Sequence, residues 1–94
     1  MFNKLNPLLH SELRLAIMSL LLNFESAEFN FVLEKTKATK GNLSIQITKL
    51  KEAKYIKVKK SFRNNYPLTT LSISEKGRDA FAEYVENLKT FINL

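Results

Sequence analysis

Ten bases fall between residues 34 and 63: Lys35, Lys37, Lys40, Lys49, Lys51, Lys54, Lys57, Lys59, Lys60 and Arg63. Two acids, Glu34 and Glu52, share that stretch, so ten against two leaves it at +8. The rest of the chain sets five bases against seven acids, a net of −2, and the whole carries +6. The chemistry such a block serves is the binding of a polyanion, nucleic acid first. A solvated lysine-rich face has the same composition, and the underlying elements must decide between the two. Other chemistries are poorly supplied. There is no cysteine and one histidine, His10, so thiolate and histidine-rich metal sites are excluded, and no metal or cofactor is expected. Ser11, Ser44 and Ser72 have no histidine base at a suggestive spacing, and no glycine-rich phosphate loop is present. Glu83 and Glu86 share a helix face with no sign of a pocket. The chain is not expected to be an enzyme.

Ninety-four residues make one small domain. A chain of this size buries a modest fraction of its surface, which makes association with a second copy a natural source of stability. Apolar residues make up 45%, as in a globular protein. The longest strongly apolar run, Leu15–Leu22, contains Ser19 and falls short of the about 20 residues a bilayer requires. His10, Glu12 and Arg14 interrupt the N-terminal apolar segment, and no small-residue cleavage site follows. A cytoplasmic protein without membrane contact is the expectation. With two glycines (Gly41, Gly77), two prolines (Pro7, Pro67) and no linker or repeat, residues 1–94 read as a single domain.

The elements that must carry the bases are legible from period and punctuation. Asn6-Pro7 is a helix opening, and Ser11 offers a second start one turn later, so a helix is predicted over about 6–23. Its segment Leu13–Phe24 is apolar nearly all round, which demands burial on more than one side. Residues 23–28 read as a loop. Asn30 caps a short helix over about 30–37, and Thr39 caps a third over about 40–54. At about 100° per residue, Leu43, Ile47 and Leu50 form its core stripe, while Gly41, Asn42, Ser44, Ile45, Thr48, Lys49 and Glu52 face outward. Two helices so closely joined make a helix-turn-helix pattern. Ile56, Val58 and Phe62 then alternate with Lys57 and Lys59, Arg63-Asn64-Asn65-Tyr66 is a turn, and Pro67 opens a returning edge strand. Residues 56–73 are thus a basic hairpin. Ser74 caps a last helix over about 75–93, whose stripe of Phe81, Tyr84, Val85, Leu88, Phe91 and Ile92 exceeds what one small core absorbs.

A major groove admits one α-helix, and short polar side chains near its N-terminus read base edges. Helix N-termini favour phosphate, and Gly41 permits close approach of the backbone. The segments Thr39-Lys40-Gly41-Asn42-Leu43-Ser44, Leu50-Lys51-Glu52-Ala53-Lys54-Tyr55-Ile56 and Leu71-Ser72-Ile73-Ser74-Glu75-Lys76-Gly77-Arg78 resemble the winged-helix regulators related to the MarR and ArsR families. His10–Ile17 and Phe29-Asn30-Phe31 extend the resemblance over nearly the whole chain. It implies a mainly α fold with a small β-hairpin: a winged helix-turn-helix with a three-helix core, a β-wing and a long C-terminal dimerisation helix. It implies a dimeric regulator of transcription, most often a repressor, with double-stranded DNA as partner; the sequence does not identify a small-molecule effector. DNA-binding residues carried over onto the recognition helix are Thr39, Lys40, Gly41, Asn42, Ser44, Ile45, Gln46, Thr48 and Lys49; Gln46 lies on the flank of the core stripe. On the wing they are Lys57, Lys59, Lys60, Arg63, Asn64 and Asn65. The expected dimer surface is Leu8, Leu9, Leu20, Leu88, Phe91 and Ile92, with Phe81 and Val85 packing on the domain. Four positions depart from the pattern: Ile45 replaces a basic or polar residue, Lys54 stands where glycine usually ends the helix, and Asn64-Asn65 replace an arginine-rich tip. Ile45 and the asparagines suit an alternative, a winged-helix module that binds a protein.

Overall fold

Ser11, not Asn6, starts the first helix. In the computed structural model, which describes residues 1–92, Ser11 is extended and its Oγ accepts the Arg14 N–H at 3.4 Å. Helix α1 runs Glu12–Leu22. Asn6 instead closes an isolated turn: its carbonyl accepts from the Leu9 and His10 N–H groups, and its Oδ1 accepts from Leu8 N–H at 3.0 Å. An asparagine side chain that satisfies the nearby backbone competes with helix continuation, which is why the helix expected from residue 6 begins at 12.

The segment read as a loop holds a strand. β1 (Ala27–Glu28) pairs with the last strand, Ala27 opposite Leu71 and Glu28 opposite Thr70. Glu28 must be extended to pair, so helix α2 (Phe29–Thr36) starts directly after it, with no side-chain cap and with Asn30 inside the first turn rather than capping it. The short helix ends at Lys37, whose left-handed φ of 57° directs its N–H to Leu33 O at 3.0 Å.

Helix α3 (Lys40–Glu52) is capped as predicted: Thr39 Oγ1 accepts the Asn42 N–H at 3.2 Å. It ends two residues before the expected 54. Lys54 adopts φ 65°, its N–H reaches Lys51 O at 2.9 Å, and the Tyr55 N–H reaches Leu50 O at 3.0 Å. This pair of bonds is a Schellman stop built on a lysine where glycine would sit without strain.

Strands β2 (Ile56–Arg63) and β3 (Tyr66–Ile73) form the hairpin, in register from Ile56–Ile73 to Arg63–Tyr66. Asn64 (φ 50°) and Asn65 (φ 67°) make the two-residue turn whose twist matches the strands. The sheet order is β1-β3-β2, so Pro67 lies on the central strand and not on an edge strand. The position tolerates proline because β1 reaches only Thr70 and Leu71, leaving Pro67 with β2 as its one neighbour.

Leu9, Ile17, Met18, Leu21, Val32, Leu43, Leu50 and Leu71 are fully buried and tie α1, α2, α3 and the sheet into one core. Each such side chain contributes about 1.5–3 kcal/mol by leaving water. Helix α4 (Glu75–Ile92) leaves that core from a tight junction. Ser74 Oγ donates to Lys54 O at 2.7 Å and accepts the Gly77 N–H at 2.9 Å, while the Ser74 N–H donates to Tyr55 O at 3.0 Å. Gly77 is buried there, and a Cβ on it would stand 2.1 Å from Tyr55 O. The arrangement is a winged helix-turn-helix: three helices, a hairpin and a C-terminal helix. Among the described residues, no helix is long and apolar enough to cross a membrane.

Two substitutions test this frame by urea and thermal unfolding. Gly77→Ala forces backbone apart and is expected to cost about 3 kcal/mol, lowering Tm by more than about 10 °C. Lys54→Gly removes left-handed strain and is expected to add about 0.5–1 kcal/mol. A neutral Gly77→Ala would contradict the junction.

Candidate nucleic-acid interface

Helix α3 carries three outward rows, because residues four apart lie one above another. Lys40, Ser44, Thr48 and Lys51 turn toward the hairpin. With Val58, Lys60, Pro67, Leu68 and Thr69 they line an open cleft of about 760 Å³. Gly41, Ile45 and Glu52 form the outermost row, and Ile45 is 56% exposed. A Cβ on Gly41 would meet nothing within 4 Å, so no packing contact inside the protein requires glycine there. Asn42, Gln46 and Lys49 form the third row, on the side of α1.

The hydroxyls of α3 are partly committed. Thr39 Oγ1 is used in the cap, and Thr48 Oγ1 donates to Ser44 O at 2.9 Å. Gln46 is half-buried and engaged at both ends: its Oε1 accepts from Arg14 Nη1, and its Nε2 donates to Asn42 Oδ1 at 3.0 Å. Arg14 also donates from Nε to Leu8 O at 2.5 Å. Gln46, carried over as a DNA-contact residue although it lies on the flank of the core stripe, links α1 and α3 within the domain. No single-sequence periodicity encodes a bond across 32 positions.

The hairpin bases are divided between two faces. Lys60 shares the face of Ile56 and Val58, turned to α3. Lys57 and Lys59 point to the opposite face, over a shallow recess lined by Glu25, Ser26, Ser61, Thr70 and Ser72. Arg63 is ion-paired with Glu28 across the sheet. The pair is well exposed, and such pairs contribute about 0–1 kcal/mol, so Arg63 remains easy to recruit elsewhere. Asn64 and Asn65 are exposed at the tip. Phe62, expected inward from the alternation, is 75% exposed, and Tyr66 is 74% exposed. The strands run past the end of the core there, so an inward-facing position has nothing to pack against. Lys51 is a cleft cation outside the expected DNA-binding set, and its distance of 11 from Lys40 is the helical signal that places it.

At the other end of the molecule, Leu9 is fully buried in this chain's own core and so is not a dimer-surface residue. The turn at Asn6–His10 folds it inward. Leu8, Leu20 and Leu88 are half-buried against the same core. Val85, expected to pack on the domain, is 37% exposed, and Tyr84 is the residue of that turn that is buried. Its hydroxyl pairs with His10 Nδ1 at 2.9 Å, which gives His10 a structural partner. Phe91 (41% exposed) stacks on Phe2 with centroids 4.9 Å apart, and Ile92 is 70% exposed. Among the described residues, no group of three or more metal-ligating side chains is assembled.

A family model described as a winged helix DNA-binding domain matches residues 13–92. An uncharacterized protein of Methanocaldococcus jannaschii is 38% identical over 76 residues, which is 81% of this chain and 83% of that protein. The solved structure of a transcriptional regulator homologue from Pyrococcus horikoshii is similar with a TM-score of 0.85 at 28% identity, over 92% of this chain and 85% of that one. NadR in complex with 4-hydroxyphenylacetate shares the fold at TM-score 0.73 and 16% identity, over 93% of this chain and 64% of its own. YusO of Bacillus subtilis shares it at 0.71 and 13%, over 95% and 59%.

Proposed function

The chain belongs to the winged helix DNA-binding domain family, and from that premise we propose that it is a homodimeric transcriptional repressor reading a two-fold-symmetric operator. Helix α3 enters the major groove. Asn42, Ser44, Ile45, Thr48 and Lys49 face base edges, and Thr39, Lys40 and Gly41 meet a phosphate at the helix N-terminus. Ile45 supplies apolar contact to a thymine methyl. The observation that carries this reading is the cleft where Lys40 and Lys51 of α3 face Lys60 of the hairpin. Arg63 lines the same groove, so four cations surround it against one acid, Glu28, which is paired with Arg63. The three lysines, unpaired among the described residues and with no acid on residues 56–73, suit a phosphate strand passing between helix and wing. Lys57, Lys59, Arg63, Asn64 and Asn65 extend the contact along the flanking backbone.

Dimerisation rests on the distal part of α4, where Val85, Phe91 and Ile92 are exposed, together with the half-buried Leu8, Leu20 and Leu88. Two copies joined there would place their recognition helices in half-sites about 34 Å apart. A second reading, a module that binds a protein, draws on exposed Ile45, Phe62 and Tyr66.

Fluorescence anisotropy with an operator duplex selected from a randomised pool and with an unrelated duplex separates the contributions. Asn42→Ala and Lys49→Ala are expected to weaken the operator about 5- to 100-fold and to leave the unrelated duplex less affected. Lys60→Ala is expected to weaken both duplexes alike and to lower the salt slope by about one, with Lys59→Ala, on the far face, doing less. Gly41→Ala is expected to hold or slightly raise Tm while weakening binding, because the added methyl projects only toward the ligand. Unchanged affinity in Asn42→Ala and Lys49→Ala together would overturn the placement of α3, and capture of a protein partner after nuclease treatment would favour the second reading.

A further inference from the structure

We infer that Arg14, acting through Gln46, fixes the hydrogen-bonding polarity of Asn42, so that Asn42 offers N–H donors to DNA and selects the acceptor-rich edge of guanine. The inference rests on the proposed placement of α3 in the major groove. Its basis is a chain of three side chains running from α1 to the recognition helix. Arg14 is held by its Nε bond to Leu8 O at 2.5 Å and donates from Nη1 to Gln46 Oε1. Gln46 Nε2 donates to Asn42 Oδ1 at 3.0 Å.

A guanidinium has donors and no acceptor. The Gln46 amide must therefore turn its oxygen toward Arg14, since its nitrogen there would set donor against donor. That leaves the Gln46 nitrogen facing Asn42, which must answer with its oxygen. The polarity of the whole chain follows from the one member that cannot reverse. Asn42 is exposed at its other end, and that end is Nδ2 with its two hydrogens. An unconstrained asparagine reads adenine with both amide atoms, accepting from N6 and donating to N7. To do so Asn42 would have to share its Oδ1 between the Gln46 N–H and adenine N6, with both partners in line with its two lone pairs. Guanine presents O6 and N7, both acceptors, and takes the donor end as it stands. Arg14 is a positioning residue in this account, and its expected signature is a change in base preference rather than a loss of affinity.

Selection of bound duplexes from a randomised pool, with the full chain, tests it. The base pair read by Asn42 is the one whose preference disappears in Asn42→Ala. Wild type is expected to favour guanine over adenine there roughly tenfold. Gln46→Glu puts an acceptor-only group between Arg14 and Asn42, so Asn42 must donate inward and present its oxygen. Preference at that pair is expected to move to a donor edge, cytosine N4 or adenine N6, with the other pairs unchanged. Arg14→Met frees Gln46 to turn either way and is expected to bring guanine and adenine near parity. Gln46→Glu sits on a half-exposed position and keeps the test available where Arg14→Met loses the fold. Guanine preference persisting in Gln46→Glu would overturn the inference. So would an Asn42→Ala variant that weakens every sequence alike, since the acceptor would then be a phosphate oxygen. If wild type enriches no sequence, the regulator reading itself fails, and this inference with it.

Discussion

Gly77 lies so close to the carbonyl of Tyr55 that no side chain fits between them, and the geometry of the whole molecule passes through that contact. Three elements meet there: the end of α3, the start of β2 and the first turn of α4. Tyr55 is held at every polar atom. Its N–H closes the helix on Leu50, its carbonyl accepts from Ser74, and its hydroxyl accepts from Asn6 at 2.9 Å. Lys76 stands over its ring at 5.6 Å. The direction in which the hairpin leaves α3, and so the width of the cleft between them, is set by this junction rather than by anything in the cleft.

That division matters because the cleft cannot hold itself together. Lys40, Lys51 and Lys60 repel one another, and none has an acid partner in the cleft beyond Glu28 at its rim, which is paired with Arg63. Repulsion between exposed charges is weak in water, about 1 kcal/mol for a pair at 4 Å and less at the wider spacing of a groove. The eight fully buried core side chains outweigh it many times over. The fold therefore carries a concentration of positive charge at small cost and makes it available to a polyanion, whose released counterions supply the driving force.

What was legible in the sequence was whatever obeys a period or a local rule. The stripe Leu43, Ile47, Leu50 orients α3, Thr39 and Ser74 cap their helices, and Asn64-Asn65 make the turn. Single residues decided by distant contacts were not legible. Strand β1 is two residues long and exists because Leu71 and Thr70 are there to pair with it. Leu9 looks like surface in a terminal segment and is core because Asn6 turns the chain. Phe62 has the right alternation but lies beyond the core's edge. Gln46 has the pattern of a flank residue, and its role comes from Arg14, 32 positions away. The helical wheel orders neighbours on one element, and each of these features belongs to two.

The central claim, that α3 and the wing together form a DNA-reading surface, is tested most directly by titrating the protein against a panel of duplexes, including the DNA upstream of its own gene, across a salt series. One duplex should stand out by about a thousandfold or more, and that preference should persist as salt rises while all affinities fall. Equal and steeply salt-dependent binding to every duplex would reduce the surface to a non-specific polyanion binder. No binding even at low salt would contradict the account outright.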